Sequence, residues 1–160
     1  MKTLLLLIFT TIFYAGYSQC DIKTNNRPDG STIKYFTPKP VAKTKSHEAG
    51  MSLYYNETTK EYTLSVFLLY KSGAPKELNG NLLIQTTSNN GLSLKPYTNK
   101  LITMNGNEVA TSIYLLTQKD IDQLKKYPLK TISVNYGDSM IGLTTTENKS
   151  LIINEFLCLN

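Results

Sequence analysis

Tryptophan is absent from the 160 residues, histidine occurs once and cysteine twice. After residue 15 no apolar run is long enough to cross a bilayer. Each shortage removes some chemistry. A Ser-His-Asp or Cys-His centre needs a histidine held between a nucleophile and an orienting group. His47, beside Glu48 in an irregular stretch with Lys43, Lys45 and Ser46, reads instead as solvated surface. Zinc sites take three or four Cys or His ligands, which this chain supplies only with carboxylates added. Neither a Gly-rich phosphate loop nor an EF-hand loop occurs, so no cofactor and no metal is expected. The formal net charge of +5 is dispersed, apart from Lys39, Lys43 and Lys45 and the Lys125-Lys126 pair. That is too diffuse to track a nucleic-acid backbone.

What is present begins with an address. Lys2 supplies a positive start, Leu4 to Phe9 begin an apolar run that reaches Ala15, and the small residues Gly16 and Ser18 sit two apart. This predicts a secretory signal peptide over residues 1–18, cleaved between Ser18 and Gln19, ahead of a single domain over residues 19–160. The protein is then secreted or periplasmic, with no stable membrane span. Cys20 offers an alternative, since bacterial lipoproteins are cleaved just before a lipid-modified cysteine. The preceding Tyr17-Ser18-Gln19 departs from the Leu-small-small pattern of such sites, but lipid anchoring through Cys20 stays open.

In an oxidising compartment two cysteines default to a disulfide. Cys20 and Cys158 would tie the first mature residues to the last strand and enclose nearly the whole domain. A catalytic thiol is the competing reading, and it needs a thiolate-stabilising neighbour that neither cysteine has in sequence.

The mature chain alternates. In residues 61–71, Tyr62, Leu64, Val66, Leu68 and Tyr70 share one side of an extended chain, and Thr63, Ser65, Phe67 and Leu69 share the other. This is the pattern of a central strand with one face in a core. Residues 51–55 pair with it across a polar turn. Residues 32–36, 80–87, 92–95, 101–104, 109–116, 131–136, 140–145 and 151–157 read as further strands. Pro38 and Pro40 mark an edge or crossover. Asn90-Gly91, Asn105-Gly106 and Gly137-Asp138 mark turns between strands. Thr117, with Asp120 three residues on, caps one short helix that ends before Pro128. The expected fold is all-β: a single-domain β-sandwich or flattened barrel of about eight to ten strands with one short helix.

Ser18-Gln19, Cys20-Asp21-Ile22, the run of residues 26–36 (Asn-Arg-Pro-Asp-Gly through Ile-Lys-Tyr-Phe) and residues 116–125 together resemble small secreted proteins of Bacteroidota-type bacteria. The resemblance implies export and a β-rich domain. It carries over no functional residue.

Acid pairs are the remaining catalytic option, because glycoside hydrolysis needs two carboxyls facing each other across a cleft. Glu57 with Glu61, Asp120 with Asp122, and Asp138 with Glu147 qualify by spacing, although helix-start electrostatics and turn chemistry explain them as well. Tyr35, Tyr54, Tyr55, Tyr62, Tyr70, Tyr114 and Tyr136 fall on predicted strands. An exposed row of them would stack on sugar rings or meet a protein partner, whereas a buried set would fill the core. Of Tyr54 and Tyr55, one ring should point in and one out. Asn56-Glu57-Thr58 and Asn148-Lys149-Ser150 match the N-glycosylation pattern, which matters only in a eukaryotic secretory pathway and otherwise marks exposed turns. The sequence therefore points to an exported non-enzymatic binding or accessory module with a protein or glycan partner. The alternative is a carbohydrate-binding or polysaccharide-active protein using tyrosines and an acid pair. Ligand identity and oligomeric state are not encoded legibly.

Overall fold

The structure, a computed structural model, describes residues 20–71, 75–88, 90–137 and 139–159. The predicted signal peptide, with Ser18 and Gln19 at its cleavage point, lies outside the described residues.

The elements follow in the order β1 (Ile22–Asn26), β2 (Thr32–Phe36), β3 (Lys39–Lys43), β4 (His47–Asn56), β5 (Glu61–Tyr70), β6 (Leu82–Thr86), β7 (Gly91–Leu94), β8 (Pro96–Met104), β9 (Asn107–Leu115), α1 (Gln118–Lys126), β10 (Leu129–Tyr136), β11 (Ser139–Thr144) and α2 (Leu151–Leu159). One antiparallel sheet runs β1-β2-β4-β5-β9-β8, with β3 also on β4; the other runs β11-β10-β6-β7. Neither sheet closes into a barrel, so the expected all-β sandwich is what forms, with eleven strands and a second short helix among the described residues.

The alternation of residues 61–70 places the core. Leu64, Val66 and Leu68 are fully buried, beside Met51 and Leu53 of β4 and Tyr114 of β9. Leu82, Ile84, Ile132 and Val134 of the second sheet belong to the same buried cluster. Each fully buried aliphatic or aromatic side chain contributes about 1.5–3 kcal/mol, so these few residues outweigh any surface pairing in the fold. The turns obey their chemistry. Asn105 and Gly106 take φ of 51° and 78°, the left-handed pair of a two-residue hairpin between Met104 and Asn107. Gly137, at φ 53°, turns β10 into β11; its predicted partner in that turn, Asp138, lies outside the described residues.

The α1 start is as the sequence reads. Thr117 Oγ accepts from the Asp120 N–H, and the Asp120 carboxylate accepts from the Thr117 N–H at 3.0 Å, a reciprocal capping box. Ile121 and Leu124 are buried, and Lys125 and Lys126 occupy the last turn. Thr117→Ala is expected to cost about 1 kcal/mol, seen as a lower urea midpoint with an unchanged slope.

Residues 151–157 are not the closing strand that their Leu-Ile-Ile start implies. They form α2, which buries Leu151, Ile152, Glu155 and Phe156, a spacing that only a helix brings onto one face. Phe156 packs on Tyr62 at 5.2 Å between ring centroids, and Lys125 lies over both rings. Packing against the sandwich end therefore overrides local strand preference. Cys158 is carried by a helix, and its Sγ is bonded to Cys20. No helix among the described residues is long and apolar enough to cross a membrane.

Candidate functional site

The tyrosines pair with one another. Tyr35 stacks on Tyr54, Tyr55 on Tyr62, and Tyr70 on Tyr136, with centroids 5.5, 4.6 and 4.9 Å apart. Tyr54 and Tyr55 are adjacent on β4 and both half-buried, so the expected contrast of one ring inside and one outside is not seen, and Tyr114 is fully buried. Among the described residues the one strongly exposed ring is Tyr97, 78% accessible, on edge strand β8.

His47 is not in an irregular stretch. It opens β4, opposite Tyr70, and is half-buried edge-on to the rings of Tyr70 and Tyr136. Its Nδ1 lies 2.8 Å from Ser46 Oγ, and burial holds its pKa below the ordinary value.

The acid pairs chosen by spacing have other work. Glu57 is ion-paired with Lys34, and Glu61 accepts from Thr59 Oγ. Asp120 serves the capping box, while Asp122 accepts from Gln118 Nε2 one turn back. Glu147 pairs with Lys43 at 3.1 Å; Asp138 lies outside the described residues. Both glycosylation-pattern asparagines sit at turns. Asn56 Oδ1 accepts from the Thr58 N–H, and Asn148 Nδ2 donates to the Pro40 carbonyl.

The site with unexplained chemistry lies elsewhere, and the prolines create it. Strand β2 pairs with β4 at residues 54–56, and β3 pairs with the same edge at residues 48–51. Between them the chain steps out through Thr37-Pro38, so Ser52 and Leu53 face a break in the ladder. A buried backbone N–H left there without a partner costs about as much as a lost hydrogen bond. Ser52 Oγ donates to the Phe36 carbonyl at 2.6 Å, which ties down the end of β2. The Leu53 N–H donates to Glu155 Oε2 at 2.7 Å, a contact across 102 residues. A carboxylate from α2 thus completes the sheet edge.

Glu155 is 3% exposed, and its second oxygen, Oε1, is buried without a hydrogen-bond partner. Burial pushes its pKa up to about 7, while the Leu53 N–H and the charge of Lys39 pull the other way. The group lines a cavity of about 330 Å³. Phe36 and Lys39 bound it from the strand break, Asn154 from α2, and the Cys20–Cys158 bridge from the chain termini. Asp21 and Lys149 also face this space. A carboxyl poised near neutrality can accept a hydrogen bond when ionised and donate one when protonated. A second hollow, about 230 Å³ and largely apolar, lies by Pro38, Phe67, Leu69, Met104 and Val109.

Sequence reasoning named several residues of this lining for other reasons, Cys20 and Cys158 as a bridge, Lys39 as part of a basic cluster and Asn148-Lys149-Ser150 as a glycosylation pattern, but it singled out neither Glu155 nor the cavity. Glu155 carries the only signal that was available, a lone charge inside the apolar run Leu-Ile-Ile-Asn-Glu-Phe-Leu.

Comparison of the chain with protein-family models, with curated proteins and with solved structures finds no match.

Proposed function

We propose that the protein is an exported, non-enzymatic binding module of the cell envelope or extracellular space, and that its ligand sits in the cavity walled by the Cys20–Cys158 bridge. The observation that carries this reading is Glu155, which lines the cavity and whose Oε1 is buried without a hydrogen-bond partner. Natural proteins seldom leave such an atom unpaired unless something else pairs it. Export is supported by the address over residues 1–18, by the bridge and by the resemblance to small secreted Bacteroidota-type proteins. A Cys20 sulfur bonded to Cys158 has no valence left for a thioether lipid, which favours a free mature chain over an anchored one. Nucleic acid is not the partner in this reading, because Lys34, Lys43 and Lys71 are engaged by Glu57, Glu48 and Glu147.

The test is the mass of the natively exported protein, under native and denaturing conditions, before and after reduction with thiol alkylation. The expected result is a chain beginning at Gln19 whose two thiols alkylate only after reduction, with a small non-covalent adduct under native conditions that is lost on denaturation. A chain beginning at Cys20 with added acyl mass overturns it.

A second reading has a specific observation behind it. Asp21 and Glu155 line one cavity, which is the minimum equipment of an acid-pair glycosidase. It predicts release of reducing ends from a polysaccharide, abolished separately by Asp21→Asn and by Glu155→Gln.

A further inference from the structure

We propose that edge strand β8 is a self-association surface, on which a second copy of this chain pairs antiparallel about a two-fold axis at Leu101. No residue of β8 lines the cavity beside Glu155, so this surface is separate from the proposed ligand site.

An edge strand carries backbone N–H and C=O groups without a neighbour, and proteins blunt such edges by keeping them short, broken by proline or covered. The other edges here follow that rule. β1 and β3 have five residues each and β7 has four. β3 contains Pro40, and its Val41 carbonyl accepts from the N–H groups of Thr146 and Glu147. β11 has six residues, with Gly142 among them. β8 has nine. Its proline, Pro96, stands at the first position, and a register shift between Pro96 and Thr98 leaves Tyr97 as an extra residue turned outward. From Thr98 to Met104 the pairing with β9 is unbroken, and among the described residues no strand lies beyond β8. The hairpin sets which backbone groups are open. Met104 and Asn107 flank a two-residue turn and exchange hydrogen bonds, as in alternation do Ile102 with Val109 and Lys100 with Thr111. The backbone groups of Asn99, Leu101 and Thr103 therefore point away from β9.

Symmetry selects the occupant. A two-fold contact has to match its own surface, and Leu101 is the midpoint of the unbroken stretch 98–104. Pairing about it sets Leu101 against Leu101 of the second copy, Asn99 against Thr103, Lys100 against Ile102 and Thr98 against Met104. Each open N–H then meets a carbonyl, and Leu101, 40% exposed, is covered by its own counterpart. Neighbouring registers are worse. An axis at Lys100 sets two ammonium groups directly opposite. An axis at Asn99 draws Pro96 and the bulge into the ladder, and one at Ile102 shortens it. A foreign acidic peptide has less to recognise, because Lys100 is the one charged side chain on β8. A single strand pair lies at the small end of specific interfaces, below the roughly 1,200 Å² where standard ones begin, so the dimer should be weak, in the micromolar range.

The experiment is sedimentation equilibrium of the exported protein with its bridge intact, across the micromolar range, joined to hydrogen exchange at the backbone amides. The expected result is a monomer–dimer equilibrium in which the Asn99, Leu101 and Thr103 amides exchange about fivefold more slowly as the dimer fills. Added salt should not weaken it, since the charges on the paired strands are alike. Leu101→Lys puts two charges face to face at the axis and should weaken dimerisation about tenfold. Thr103→Pro removes an open N–H while leaving the ladder to β9 intact, and should act likewise. Both positions are exposed, so the monomers should keep the parent's circular dichroism. A protein that stays monomeric throughout overturns the proposal, as does a dimer indifferent to both substitutions, which would lie on another face. Protection of the three amides in a monomer by an added peptide of alternating glutamate and valine also overturns it, and would make β8 a peptide site instead.

Discussion

Replacing Cys20 and Cys158 together with serine is expected to remove about 4–5 kcal/mol of stability from the domain and to lower its Tm by on the order of 10 °C. Most of the effect arises in the unfolded state. The two residues are 138 positions apart, so the bridge closes a loop that contains almost the entire domain. A denatured chain held in so long a loop loses more conformational entropy than one clipped across a short one, and cutting the bridge returns that freedom. The native side adds a local effect. Cys158 lies in the last turn of α2, the helix that supplies Phe156 to the core and Glu155 to the sheet edge. Freed from Cys20, its end can fray and the cavity loses a wall. The check is urea unfolding of both proteins. The serine variant should have a lower midpoint and a steeper slope, because its unbridged denatured state exposes more surface. A loss below about 1 kcal/mol with an unchanged slope would mean that the denatured chain is compact with or without the bridge.

How much of this was legible in the sequence depends on whether the deciding contact is local. Strand β5 is plain because period-two alternation is written into eleven consecutive residues, and Asn105-Gly106 is plain because few residue pairs take two positive φ values cheaply. Thr117 and Asp120 announce a helix start for the same reason: the cap is made within four residues. Strand β3 was obscured by Pro40 and its lysines; it survives as an edge strand with a register shift between Pro40 and Ala42. His47 looked solvated because its covering rings, Tyr70 and Tyr136, come from strands far along the chain. The 151–157 segment failed most instructively. Its β-branched start favours a strand, yet as a strand it would place Glu155 on the same side as Leu151, Ile153 and Leu157. As a helix it places Glu155 beside Ile152 and Phe156, against the gap that needs an acceptor. The site is assembled from a strand break, a terminal helix and a bridge between chain ends. No window of sequence contains all three.

Glu155→Gln is expected to raise stability at pH 8 relative to pH 4.5, measured against the parent at each pH, by about 3 kcal/mol. The carboxyl is raised from its ordinary 4.5 to about 7 by burial, and at about 1.4 kcal/mol for each tenfold change in proton affinity this gap corresponds to about 3 kcal/mol. The sign follows from proton counting. Between 4.5 and 7 the folded protein keeps a proton that the unfolded chain releases, so this group's stabilising contribution is complete below 4.5 and is lost as pH rises through 7. Glutamine does not titrate. It still offers an oxygen to the Leu53 N–H, while its buried amide costs about 1 kcal/mol at every pH, leaving the difference between pH values intact. The charged and titratable groups near Glu155 are Lys39 of β3 and Tyr54 of β4, with Asp21 and Lys149 lining the same cavity. Tyr54, itself raised by burial, stays neutral throughout the window. All are common to both proteins and drop out of the comparison. Paired denaturation curves at pH 4.5, 6 and 8 decide it, and a gap constant within about 0.5 kcal/mol would show that Glu155 ionises as freely as a surface acid. The expected result bears on function as well as on stability. Glutamine meets the structural need at Leu53 without the ionisation penalty, so the fold alone gives no reason for a carboxyl here. A group that costs stability at neutral pH is the kind of local inconsistency that collects at functional sites. The binding reading proposed above would supply a reason for the acid, at the cavity that Glu155 lines.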